Sequence, residues 1–300
     1  MMYHMPVMIK QVIEGLVVMP GGRYADLTFG GGGHSAAILD KVGNGKLFAF
    51  DQDTDALQNR IQDSRLTLIH SNFRFATNFL TLYNALPLDG MFADLGVSSH
   101  QIDSPERGFS TRFDAPLDLR MNKALKVSAR DIVNSYSASQ LRSLFFRFGE
   151  ISNAGVLANE LVNTRSTSPI ESTTQLVGIL NRIVPPHKIN RVAAQVFQAL
   201  RIEVNDELNA LADLVSQATE ILRPGGRLVI ISYHSIEDRI VKNFMRTGNI
   251  KGDIEKDYYG NVRSPFRPIN KRPLVPEDDE VARNPRSRSA KLRIAERNSI

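Results

Sequence analysis

The chain of 300 residues has no cysteine and no tryptophan. Without a thiol there is no disulfide, no cysteine-ligated zinc, no iron–sulfur cluster and no thiolate nucleophile. The six histidines (His4, His34, His70, His100, His187 and His234) show no metal-ligand spacing, so no metal is expected. No apolar run approaches the roughly 20 residues that span a bilayer, and the N-terminus lacks the basic-then-apolar order of a secretory signal. A cytoplasmic protein without a membrane partner is expected. A large excess of one charge is also missing, since 37 basic side chains against 32 acidic ones leave only +5. That excess is clustered, however. Pro105 to Gln198 carries twelve Lys and Arg against seven Asp and Glu, and Arg283 to Arg297 six against one. With a pI of 9.4, such clustering suits a polyanion such as nucleic acid.

What is present begins with Asp26 to His34, DLTFGGGGH. A short apolar strand ends on a carboxylate and runs through four glycines into a helical stretch, Ser35 to Leu39. Backbone approaches a ligand closely where no Cβ intervenes, and a helix N-terminus offers unpaired N–H groups. A second strand, Leu47 to Phe50, delivers Asp51 eighteen residues after Gly33, where a carboxylate can grip a ribose hydroxyl pair. A nucleoside site is expected. Its occupant stays open at this point, because Gly31-x-Gly33-x-x-Ala36 also fits a dinucleotide pattern.

Strand-like runs at Arg23–Leu27, Leu47–Phe50, Leu66–His70, Met91–Leu95 and Arg227–Ser232 predict a doubly wound, mostly parallel α/β sheet. Between the fourth and fifth lie about 130 residues without a convincing strand, a helical insertion. Ser137 with Gln140 reads as a capping box for a helix bearing Leu141, Leu144, Phe145 and Phe148. Further helices are expected at Ala154–Thr164, Thr174–Val184, Arg191–Leu200 and Asp206–Leu222. The domains are placed at 1–104 with 199–300, and at 105–198. After Phe244 the chain reads as a Gly- and Pro-rich loop, and Ala290–Glu296 as a returning edge strand.

In open α/β sheets the ligand lies across the carboxyl ends of the strands. Asp94 ends the fourth strand, followed by Ser98 and Ser99. Phe73 follows the third and can cover a flat ring. Past the fifth, His234 is equally readable as a substrate contact or a structural group, and Ser235 with Asp238 as a capping pair. No G-x-S-x-G elbow accompanies them, which disfavours hydrolase chemistry.

The segments DLTFGGGGHS (from Asp26), FDQD (from Phe50), DLGVSSHQID (from Asp94), ERGFS (from Glu106), PLDLRM (from Pro116), FQALRIEVNDEL (from Phe197), PGGRLVIISYHSIEDRIVK (from Pro224) and NPRSRSAKLRIAER (from Asn284) closely resemble the RsmH (MraW) family over nearly the whole chain. The resemblance implies a seven-stranded class I methyltransferase (Rossmann-like) sheet. It implies an S-adenosylmethionine-dependent enzyme that methylates N4 of cytidine 1402 in 16S ribosomal RNA, with the small ribosomal subunit as partner. Carried over by motif, cofactor contacts fall on Gly32, Gly33, His34, Asp51, Phe73, Asp94 and Gln101, and Asp94 is also the candidate catalytic group. Gly31 replaces the family's usual large residue, and Tyr233 stands where phenylalanine is common. The segment from His4 to Met8 keeps a His-x-Pro-Val pattern.

The absence of cysteine agrees independently, because methylation at cytosine C5 normally needs a thiolate at C6, whereas an exocyclic amine attacks a methyl group directly. An NAD-dependent oxidoreductase and a non-catalytic ribosome assembly factor stand as alternatives. The sequence leaves the oligomeric state open, a homodimer included.

Overall fold

The computed structural model describes residues 6–256, 258–260 and 263–299. Two compact units divide the chain: Met1–Gly96 with Leu208–Ile300, and Val97–Glu207. Both boundaries differ from the expected 104/105 and 198/199. The physical reason at the second is one unbroken helix, Ile189–Asn205, which a cut at 198 would split.

The first unit is built on a seven-stranded sheet of β1 (Arg23–Asp26), β2 (Lys46–Asp51), β3 (Leu66–His70), β4 (Leu88–Asp94), β5 (Leu222–Ser232), β6 (Phe266–Pro268) and β7 (Lys291–Arg297), in the order β3-β2-β1-β4-β5-β7-β6. Strands β1 to β5 run parallel, while β7 pairs antiparallel with both β5 and β6. This mostly parallel sheet with one reversed strand is the class I methyltransferase arrangement that the resemblance implies. Alternation along the strands sorts the core into two layers. Phe48, Phe50, Met91 and Ala93 pack on one face, and Leu47, Ala49 and Phe92 on the other. The helices α1 (Ile9–Leu16) and α2 (Gly33–Lys41) supply Val12, Leu16, Ile38 and Leu39 to the Phe92 layer. The opposite layer is closed by α3 (Ala76–Leu82) and by two later helices described below.

The second unit is helical: α4 (Ser99–Asp103), α5 (Ala129–Ser135), α6 (Ala138–Gly149), α7 (Ala154–Thr167), α8 (Thr173–Ile183) and α9 (Ile189–Asn205). Four of these starts are capping boxes: Ser98 with Gln101, Ser128 with Asp131, Ser137 with Gln140 and Ser172 with Gln175. In each, two N–H groups that the first turn would leave unpaired gain acceptors. Its own core gathers Leu141, Leu144, Phe145, Leu157, Leu161, Leu176, Leu180, Val196 and Leu200. Buried Arg107 ties the preceding loop together by donating to the carbonyls of Arg120 and Met121 (3.0 and 2.8 Å).

The chain then returns through α10 (Glu207–Ile221) to β5, α11 (Ser235–Thr247) and α12 (Asp278–Arg283). Leu211, Leu214 and Val215 of α10 and Val241, Phe244 and Met245 of α11 complete the Phe50 layer. Three expectations need correction. The last strand, β7, is internal, and the edge is β6, which lies in the stretch read as loop. At three residues β6 is too short to show alternation, and Pro268, which has no N–H, is at home on an edge. Strand β5 begins at Leu222 rather than Arg227. Its pairing with β4 skips from Leu88↔Leu222 to Gly90↔Arg227, so the Pro-Gly-Gly turn is an irregularity inside the ladder. Finally, Ser235 and Asp238 do not cap α11. His234 is the N-cap, with Nδ1 accepting the Glu237 N–H at 3.4 Å, while Asp238 pairs with Arg293 of β7 at 2.6 and 3.0 Å.

Candidate functional site

Three adjacent parallel strands, β2, β1 and β4, each end on an aspartate: Asp51, Asp26 and Asp94. Register carries these residues to one edge of the sheet, its carboxyl end. Asp26 is fully buried and accepts from the Ser35 hydroxyl (2.6 Å) and the Thr28 N–H (3.2 Å). Half-buried Asp51 accepts the Gly30 N–H on Oδ2 (2.8 Å) and the Asp53 N–H on Oδ1 (2.9 Å). Half-buried Asp94 accepts the Tyr233 hydroxyl on Oδ1 (2.8 Å), and its own N–H donates to Thr28 Oγ1 (2.7 Å).

Burial pushes all three carboxyls up to about 6, against the lowering effect of their hydrogen bonds. The His34 ring also lowers Asp94, while Asp26 raises both of its neighbours. Such a cluster is electrostatically incomplete by itself and favours a cation beside it. A diphosphate placed there would face the carboxylates of Asp51 and Asp94, Asp26 being fully buried, which disfavours the dinucleotide alternative.

The glycines before α2 have separate reasons to be glycine. Gly30 and Gly32 hold φ of 52° and 78°, left-handed conformations that Cβ-bearing residues resist. A Cβ on Gly31 would meet nothing within 4 Å, so the turn is open on that side. A Cβ on Gly33 would instead come within 3.0 Å of Pro6 Cγ. Close packing of the N-terminal segment is thus a second reason for glycine at 33, beside the ligand approach that the sequence suggests. Buried His34 follows the same segment: its Nε2 lies 2.9 Å from the Val7 carbonyl, and its ring centroid 4.6 Å from that of Phe92. His4 and Met5, in the same motif, lie outside the described residues.

Phe73 opens a short 3-10 turn after β3 and packs, partly buried, on the Phe50 layer. The neighbouring Asn72 Nδ2 donates to Gln52 Oε1 at 2.8 Å, joining this turn to the residue after Asp51. Gln101 belongs to the other unit, where its buried side chain accepts the Ser98 N–H at 3.0 Å in the capping box of α4. His234 Nδ1 is accounted for structurally by the Glu237 N–H, whereas its buried Nε2, although 3.0 Å from Oε1 of buried Glu237, makes no hydrogen bond among the described residues, so both readings of His234 stand.

The basic C-terminal stretch is partly committed to the fold: Arg283 pairs with Asp279, Arg293 with Asp238, and Arg297 donates to the Leu222 carbonyl. Sequence reasoning passed over Asp26 as a member of the site and Tyr233 as the partner of Asp94. Asp26 was visible as a strand-end acid. The Tyr233 contact spans 139 positions and depends on the β4–β5 register, Asp94↔Ile231.

Relatives share this sequence end to end. Proteins called ribosomal RNA small subunit methyltransferase H from Flavobacterium johnsoniae and Cytophaga hutchinsonii are each 52% identical over 298 residues, covering 99% of this chain and 98% and 100% of their own lengths. One from Amoebophilus asiaticus is 51% identical over 300 residues, covering 99% of this chain and 97% of its own length. A family profile spans residues 1–298, and with it the glycine turn, the three strand-end aspartates and the helical unit; the chain belongs to the MraW methylase family.

Proposed function

We propose that this chain is an S-adenosylmethionine-dependent methyltransferase acting on N4 of cytidine 1402 in 16S ribosomal RNA, within small-subunit particles of the cytoplasm. The observation that carries the reading is the edge where Asp51, Asp26 and Asp94 meet the open glycine turn, in a chain half identical throughout to relatives named for small-subunit RNA methylation. The donor set fits the cofactor. Each Asp51 oxygen takes one backbone N–H and keeps a lone pair for a ribose hydroxyl. Phe73 lies past the next strand, where an adenine face would be covered, and the backbone of Gly32, Gly33 and His34 forms the start of α2. Carboxylates suit a ligand that carries a sulfonium and an ammonium group. When bound, S-adenosylmethionine supplies an electrophilic methyl group.

The residues then have to hold the acceptor in line and manage one proton. A cytosine amine is a weak nucleophile because its lone pair is delocalised into the ring. A carboxylate that accepts one of its N–H groups returns electron density and fixes its direction. Asp94, with a pKa near 6, is ionised at neutral pH yet basic enough to share the proton that leaves after transfer. The target base must leave any stack to be reached. The helical unit from Val97 to Glu207 and the basic residues Arg286, Arg288 and Lys291 are assigned to RNA docking.

The test is incubation of unmodified small subunits with the protein and labelled cofactor, followed by mass mapping of nucleosides. One methyl group on N4 of that cytidine is expected. Methyl transfer to C5, to a ribose or to another nucleotide would refute the assignment, and binding without turnover would favour an assembly factor.

A further inference from the structure

Tyr233 is the first residue past β5, and the β4–β5 register sets it beside the end of β4. Its position is fixed from both ends. The backbone N–H donates to Glu237 Oε2 at 3.0 Å, the phenol donates to Asp94 Oδ1 at 2.8 Å, and the ring packs against the Phe92 layer. An ionised carboxylate only accepts, so this phenol must be the donor. We propose that Tyr233 is the positioning residue for Asp94: its hydroxyl fixes the carboxylate in one rotamer, favours its ionised form, and leaves Oδ2 as the oxygen free for a ligand.

Burial and the neighbouring carboxylates raise Tyr233 far above the ordinary phenol range, so it stays protonated and cannot itself take the amine proton. Its role is exerted through Asp94 alone. A hydrogen bond to the charged form lowers a carboxyl pKa, and here it opposes the burial that raises it. Other groups facing Asp94 are His34 of α2, Asp26 at the end of β1 and Glu237 of α11. Tyr233 also faces Glu237 and Glu280 of α12. Replacing Tyr233 by phenylalanine alters none of these groups and keeps the ring, so the hydroxyl is isolated.

This inference rests on the reading of Asp94 given above, and two readouts separate their failures. The first is the 13C carboxyl titration of Asp94 in the ligand-free protein, assigned by loss of its signal in Asp94→Asn. Tyr233→Phe should raise that midpoint by about one pH unit. The second is the pH profile of methyl transfer, whose acidic limb should move with it. The variant should be about fivefold slower at pH 6 and within twofold of wild type above pH 8. A carboxyl midpoint that shifts by less than about 0.3 units overturns the proposal, as does a rate loss of equal size at every pH. If the wild-type rate has no limb at the Asp94 midpoint, Asp94 is not the base, and the NMR midpoint alone then decides whether Tyr233 sets its ionisation.

Discussion

Asp51→Asn isolates the ribose contact better than an alanine would. Alanine would leave the N–H groups of Gly30 and Asp53 without acceptors and loosen the turn it was meant to probe. Asparagine keeps one acceptor oxygen and the volume of the side chain. It removes the charge and turns an NH₂ donor toward one of the two N–H groups. A hydrogen bond to a charged group contributes about 1.5–3 kcal/mol. Losing one such bond to a ribose hydroxyl and weakening the second should therefore reduce cofactor affinity by about 2–4 kcal/mol, roughly 30- to 1,000-fold.

Fold stability should move much less. A carboxyl raised from 3.8 to about 6 holds its proton more tightly in the folded state, so ionising it lowers stability as pH climbs between those values. That cost, at most on the order of 2–3 kcal/mol at pH 7, is absent in the amide. It offsets the roughly 1–3 kcal/mol lost where NH₂ faces N–H. Calorimetry with S-adenosylhomocysteine, alongside thermal melts at pH 7, measures both. Affinity within about threefold of wild type would remove Asp51 from the site, and a collapsed melting temperature would show that its role is to hold the turn.

Asp94→Asn should slow methyl transfer at saturating cofactor by about 10²-fold or more; if only cofactor affinity falls and the saturated rate survives, Asp94 is a ligand and not a base. Gly33→Ala should destabilise the fold by about 1 kcal/mol through Pro6, while Gly31→Ala should leave the melting temperature unchanged. The reverse ranking would contradict the packing reason given for each glycine. Binding to small-subunit particles should weaken steeply with salt, and Ala at Arg286, Arg288 and Lys291 should flatten the log–log slope by roughly 0.7–0.9 per lost phosphate contact. An unchanged slope would take these residues out of the RNA interface.

Much of the site could be read in the sequence because its parts are local. A strand, a glycine run and a helix start are contiguous, and Asp51 follows at a distance that one turn of βαβ winding fixes. The box at Ser137 and Gln140 was legible for the same reason. What escaped was set by partners far along the chain. Nothing near Gly33 announces Pro6, nothing near Tyr233 announces Asp94, and Asp238 reads as a capping residue until Arg293 of β7 is laid beside it. The position of β7 escaped too, since alternation marks a strand but not which strands flank it.

The order of strands also bears on how the polypeptide is made. The sheet's inner strand β7 follows the other six in sequence, and until it emerges β5 lacks one neighbour and β6 lacks the strand it pairs with among the described residues. The helical unit, by contrast, is one uninterrupted segment with its own core, complete at Glu207. On a translating ribosome it can fold while the first four strands wait as an unfinished platform with the outer flank of β4 unpaired. Contiguity of the insertion shortens the interval during which the whole chain is unfolded, and it concentrates the exposure to misassembly in strands β1 to β4.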